Sequence, residues 1–175
     1  MTRNSASAAK KTAYLGLLAA AAILCGYIEF LIPFNFGIPG IKLGLSNFVI
    51  LIVLYTYGFP GALTVSLVRV LVTGFLFGNL FSMAYGLAGA VLSLIVMALL
   101  KRTGKFALVG ISAAGGAFHN IGQMIVAYAV TPALPLLWYL PVLILAGLVT
   151  GVIIGVIAGI ILSRIGSLIK IIIRN

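Results

Sequence analysis

Long apolar blocks, separated by short clusters of glycine, proline and charge, make up nearly the whole chain. Their length, continuity and punctuation predict helices at about 12–32, 43–58, 60–77, 80–100, 107–130 and 138–163. Only Gly58, Phe59, Pro60 and Gly61 divide the second block from the third. The stretch 43–77 is nevertheless too long for one upright membrane helix, so a tight turn is expected there.

Composition turns these blocks into membrane spans. Of 175 residues, 63% are hydrophobic and 7% charged, against roughly 25% charged in soluble domains. A hydrocarbon core of about 30 Å takes about 20 apolar residues of helix, so a chain of this length with short loops holds about six spans. No room remains for a separate soluble domain. The expected fold class is therefore all-α integral membrane, a compact bundle of about six transmembrane helices, multi-pass in the inner cell membrane. Its expected organisation is a cytoplasmic N-terminal segment at 1–11, a six-helix transmembrane domain at 12–164, and a cytoplasmic or interfacial tail at 165–175. The basic residues before the first block resemble the start of a signal peptide, but the apolar stretch from Thr12 to Pro33 lacks a small-residue cleavage site, so the first helix is expected to stay.

Charge fixes the expected orientation. The net charge of +10 does not form an exposed basic face of the kind a nucleic-acid reader needs, because the cations stand at the ends of apolar runs. Arg3, Lys10 and Lys11 precede the first span; Lys101, Arg102 and Lys105 lie between the fourth and fifth; Arg164, Lys170 and Arg174 follow the sixth. Nine of eleven basic residues thus fall on one side, and the positive-inside rule assigns that side and both termini to the cytoplasm. The uncharged connection after the fifth span, with Trp138 and Tyr139 as interface anchors, belongs outside. Lys42 and Arg69 alone break the pattern.

Those two residues, with Glu29 and His119, are the candidate chemistry, since an ionisable group at membrane depth is costly and usually turns toward protein or water. In the expected topology Glu29 lies near the outer end of span one and Lys42 opens span two, with Asn47 in its first turn. Arg69 falls near the middle of span three, and Asn79 and Ser82 start span four. His119, Asn120 and Gln123 run from the middle to the outer half of span five. Polar groups from separate spans converging on the outer half predict an outward-facing pocket for a small molecule. Lys42, Arg69 and His119 suit an anionic group such as a carboxylate or phosphate. Glu29 either contacts a cationic part of the ligand or neutralises Arg69 or Lys42 in a buried pair. His119 alone reads more often as a packing residue, and Asn120 and Gln123 on the same helix bring the ligand reading level with it. The lone Cys25 excludes a disulfide framework and a cysteine metal site, and His119 lacks partner ligands, so neither a metal nor a cofactor is expected.

Other features have mainly packing readings. The segment from Pro33 to Asn47, rich in glycine and proline, is either a plain connector or an ordered lid. Gly147, Gly151, Gly155 and Gly159 recur every four residues in span six and mark a face for close helix contact. Ala9, Ala13, Gly16 and Ala20 make a similar smooth face on span one.

With GIKLGLSN following span one, RVLVTGFLFGN from Arg69 to Asn79 and GAFHNIGQ from Gly116 to Gln123, the chain resembles the Gx transporter family, also known as heptaprenyl diphosphate synthase component I. That family looks similar to the S components of energy-coupling factor transporters, six-helix subunits that capture a vitamin or similar micronutrient from outside. The resemblance implies a coupling transmembrane protein and two ATPase subunits as partners, docking on the small face from Ala9 to Ala20. The alternative is a non-catalytic membrane accessory subunit of polyprenyl diphosphate or quinone synthesis. A catalytic synthase is not expected. Prenyl elongation uses aspartate-rich motifs to hold magnesium on the diphosphate, and Glu29 is the only carboxylate side chain in the sequence. The phosphate-binding G-x-x-x-x-G-K-[ST] pattern is also missing, so ATP hydrolysis falls to a partner.

Overall fold

The computed structural model describes residues 3–31, 44–133 and 137–174, with side chains over 8–31, 44–133 and 137–164. Within them lie six helices: α1 (Arg3–Leu31), α2 (Leu45–Thr56), α3 (Gly58–Phe77), α4 (Leu80–Thr103), α5 (Leu108–Val130) and α6 (Leu140–Arg174). The all-α expectation holds among the described residues. Four segments are long and apolar enough to cross a membrane: Ala8–Leu31, Gly58–Phe77, Leu80–Thr103 and Leu140–Arg164. Helix α5 matches them in length, but His119, Asn120 and Gln123 lower its hydropathy. With only 12 residues, α2 is about 18 Å long, shorter than the span expected there. Helix α6 continues unbroken to Arg174, past the span expected at 138–163 and through residues expected as a cytoplasmic or interfacial tail.

Local chemistry explains the breaks. Between α2 and α3 the chain reverses across Tyr57 alone, with Gly58 at φ 75° absorbing the turn. Pro60 then falls in the first turn of α3, where its missing N–H costs nothing. Asn79 caps α4 reciprocally: the Ser82 N–H donates to Asn79 Oδ1 at 2.8 Å, and the Asn79 N–H donates to Ser82 Oγ at 2.8 Å. Helix α4 ends at Gly104, φ 66°, with Lys101 and Arg102 in its last turn, where cations offset the helix dipole.

Helices α2, α3, α4, α5 and α6 form a closed ring, each packed on the next and α6 returning to α2, while α1 covers the seam between α2 and α3. Glycines let α5 approach both neighbours at backbone distance. A Cβ added to Gly122 would fall 2.6 Å from the carbonyl oxygen of Ala88 on α4. On the other flank, one on Gly151 would lie 2.6 Å from the carbonyl oxygen of Ser112, and one on Gly155 2.8 Å from Cα of Val109. The four-residue glycine repeat of α6 is thus a packing face as far as Gly155, with Gly159 meeting only a side-chain atom at 4.0 Å. The small face of α1 packs differently: Gly16 has nothing within 4 Å of a built Cβ, and Ala9, Ala13 and Ala20 are exposed.

The buried core lies toward the ring end that carries Lys101, Arg102 and Lys105, with Leu51, Val53 and Leu54 of α2 packed among Val65, Leu94, Ile111 and Ala158. Around it, Leu17, Leu24, Phe75, Ile125, Leu145 and Val149 are exposed, an apolar exterior suited to lipid. Both ends of α2 are held by charges of the sign its dipole favours. At its start the N–H of Gly44, a left-handed residue at φ 74°, donates to Glu29 Oε1 at 2.5 Å. At its end Lys101 Nζ donates to the carbonyl of Leu54 at 2.7 Å and sits 4.5 Å over the ring of Tyr55.

Two expectations follow from this packing. Gly122→Ala should lower the melting temperature of the detergent-solubilised protein, at an overpacking cost of about 1–3 kcal/mol. Gly110→Ala, where a Cβ meets nothing within 4 Å, should be neutral or stabilise by up to about 1 kcal/mol. Equal melting of the two variants would refute the backbone-contact account. Glu29→Ala should speed hydrogen exchange of the Gly44 to Asn47 amides by roughly 5–30-fold, the equivalent of about 1–2 kcal/mol. Unchanged exchange there would mean that α2 does not depend on the carboxylate.

Candidate functional site

Above the core, at the ring end opposite Lys101 and Lys105, the helices part around a cavity of about 600 Å³, within the range of about 300–1,000 Å³ common for small-molecule sites. All six helices contribute to its wall. Leu51, Met97 and Ile154 give it an apolar floor continuous with the core. Its far end lies near the α3–α4 junction, where Asn79 and Ser82 cap α4 and Phe77 packs against Tyr27 and Phe30 with ring centroids 4.9 and 5.6 Å away.

Seven of the eight sequence-predicted site residues line this one cavity: Glu29, Asn47, Arg69, Asn79, His119, Asn120 and Gln123. The eighth, Lys42, lies outside the described residues, as does most of the segment expected as a connector or lid. The convergence follows from helix direction. The C-terminal parts of α1, α3 and α5 and the N-terminal parts of α2, α4 and α6 all reach the same end of the ring.

The seven differ in what their side chains are already doing. Glu29 Oε1 accepts from the Gly44 N–H. Asn79 Oδ1 is occupied by the Ser82 N–H. Asn120 Nδ2 donates to the carbonyl of Leu143 at 2.5 Å and ties α5 to α6 beside Gly147. The His119 imidazole packs against α4, its Cε1 3.0 Å from where a Cβ on Gly89 would stand. Asn47 and Gln123 make no side-chain hydrogen bond to a described residue.

Arg69 stands apart. It sits two turns before Phe77 on α3, about 12 Å deeper along the helix. The side chain as a whole is only partly buried, but Nε and Nη2 are shielded from solvent and donate to no described group. Glu29 is near enough to act on it electrostatically, yet the two form no ion pair. Of the buried-pair reading of Glu29 with Arg69, the structure shows a charge interaction without direct contact.

Several hydroxyls in the wall were not read from the sequence, among them Ser46, Thr73, Ser112 and Thr150. Thr73 and Thr150 return their hydroxyls to the carbonyls of Arg69 and Ala146, the usual way such a residue rests within a helix, so nothing in the sequence separated them from lipid-facing threonines. One signal was available for Thr73: Arg69, Thr73 and Phe77 are spaced by four and share a face of α3.

No curated protein and no solved structure matches the chain. The family model described as heptaprenyl diphosphate synthase component I matches residues 18–161, a span that runs from within α1 to within α6 and takes in every described wall residue of the cavity. The description implies a further synthase component as partner. On a match covering most of the sequence, the chain belongs to the heptaprenyl diphosphate synthase component I family.

Proposed function

We propose that the protein is a solute-binding membrane subunit, similar to the S components of energy-coupling factor transporters. In this reading it holds a small, water-soluble micronutrient in the cavity and is energised by partner ATPases through a coupling transmembrane protein. The observation that carries it is the cavity itself: one space of about 600 Å³, walled by all six helices, in which Asn47, Arg69, His119 and Gln123 meet. All six helices then cross the inner membrane, α5 with its polar side turned to the cavity and the short α2 held inside the ring. The positive-inside rule places the end bearing Lys101, Arg102 and Lys105, with both termini, in the cytoplasm, so the cavity faces outward. The unpacked face of Ala9, Ala13, Gly16 and Ala20 on α1 supports a docking surface for the coupling protein.

In this reading the protein is not an enzyme. Its single carboxylate is engaged with a backbone amide, which leaves no acidic pair to hold magnesium on a diphosphate. A second reading is favoured by the family description: a non-catalytic accessory subunit of polyprenyl diphosphate or quinone synthesis, with Arg69 meeting a prenyl diphosphate.

Native mass spectrometry of gently purified protein separates the two. A retained water-soluble small molecule, lost in Arg69→Ala without loss of insertion, is the expected result. Hydrogen bonds to a charged group are worth about 1.5–3 kcal/mol, so affinity should fall roughly 10- to 150-fold. A retained prenyl diphosphate, or a co-purifying soluble synthase without any micronutrient, would replace the first reading by the second.

A further inference from the structure

The cavity holds a cation, Arg69, to whose Nε and Nη2 no described residue offers an acceptor. The only carboxylate side chain in the sequence is Glu29, and its Oε1 is held by the Gly44 N–H at the start of α2 rather than by Arg69. The two shielded nitrogens of Arg69, Nε and Nη2, lie along the same edge of the guanidinium. That edge presents two parallel N–H groups at the spacing of two oxygens on one carboxylate or phosphate. A charged donor kept from both water and protein acceptors is unfavourable, and at membrane depth more so, which makes such a residue a mark of function.

Resting on the solute-binding reading above, we infer that the ligand of the cavity carries an oxyanion, a carboxylate or phosphate group that the Nε and Nη2 edge of Arg69 holds at two points. In the resting conformer that edge is turned away from open space, while the side chain as a whole is partly exposed and lines the cavity. A side-chain rotation delivers the edge to the ligand. The amides of Asn47 and Gln123, uncommitted to any described residue, supply neutral contacts to the same molecule. Arg69 lies two turns, about 12 Å of helix rise, before Phe77 on α3, whose ring packs on those of Tyr27 and Phe30. The anionic end therefore enters first, and the body of the ligand lies between the guanidinium and the aromatic group. Glu29, beside those rings, acts as a structural anchor rather than as a ligand contact.

The test titrates the full-length protein in detergent with sodium phosphate and sodium acetate against sodium chloride at matched ionic strength. It reads the melting temperature and the 15N shift of Arg69 Nε. The native protein is expected to show a saturable response to phosphate or acetate. Arg69→Lys, which keeps the charge but not the two-point edge, should bind at least about tenfold more weakly. No saturable Nε response to either anion, or an equal response in Arg69→Lys, would overturn the inference. The Nε shift of the native protein decides even where a variant fails to fold. Competition assigns the source. Displacement of phosphate by farnesyl diphosphate, and not by soluble carboxylates, makes the oxyanion a lipid headgroup. The converse makes it a free solute, and either result upholds the oxyanion. The two readings fail separately. A neutral micronutrient retained by Arg69→Gln removes the oxyanion and leaves solute binding. An Arg69-dependent anion response with no micronutrient retained or taken up removes solute binding and leaves the oxyanion site.

Discussion

Helix α5 meets α4 on one flank and α6 on the other with no side chain between the backbones at Gly122, Gly151 and Gly155. In a bilayer such contacts matter more than in water, because lipid is as apolar as leucine and burying side chains brings little gain. What holds the helices is dispersion at close approach, which only residues without a Cβ permit. The same contacts set the position of the polar residues of α5. Ser112 and Asn120 fall along the α6 contact, and His119 along the α4 contact. The lipid side is left to Phe118, Ile125 and Tyr128.

Three charged side chains that face the ring divide into two kinds. Glu29 and Lys101 hold the ends of α2, each opposite in sign to the dipole end it meets, and so keep a 12-residue helix in place inside the ring. Their charge is spent on backbone groups that a short helix would otherwise leave without partners. Arg69 has no such role, since its Nε and Nη2 reach no described acceptor. The contrast among three ionisable side chains in one small bundle directs attention to Arg69 as the group that meets a ligand.

Membership of a synthase-component family and a cavity suited to a small solute pull the reading in different directions. The arrangement of the chain favours a container. Its floor is a packed apolar core, its wall mixes polar side chains with glycines and apolar groups, and its far end is aromatic. Chemistry on a diphosphate calls for a metal-bearing carboxylate set, which the proposed role does not require. A container also fits the accessory reading, and the two diverge only in what the cavity holds.

The helices, and the polar residues that line the cavity, were legible in the sequence because both arise from one-dimensional rules. An apolar block of about 20 residues is a membrane helix wherever it occurs, and a charge inside such a block needs a reason. Alternating helix direction then brought Glu29, Asn47, Arg69, Asn79, His119, Asn120 and Gln123 to one end. What each side chain does there was not legible. Glu29 and Arg69 are near enough on paper to pair, and whether they do depends on where the Gly44 amide stands relative to α1. Likewise Thr73 and Thr150 look like any threonine in an apolar helix until packing turns them inward. Sequence by itself determined which segments are helical, which of them suit lipid, and which polar residues lie at a common depth, since these follow from hydropathy and helical rise. Only the tertiary structure decided which polar groups are already satisfied and which face the cavity, because that depends on backbone distances between helices far apart in the chain.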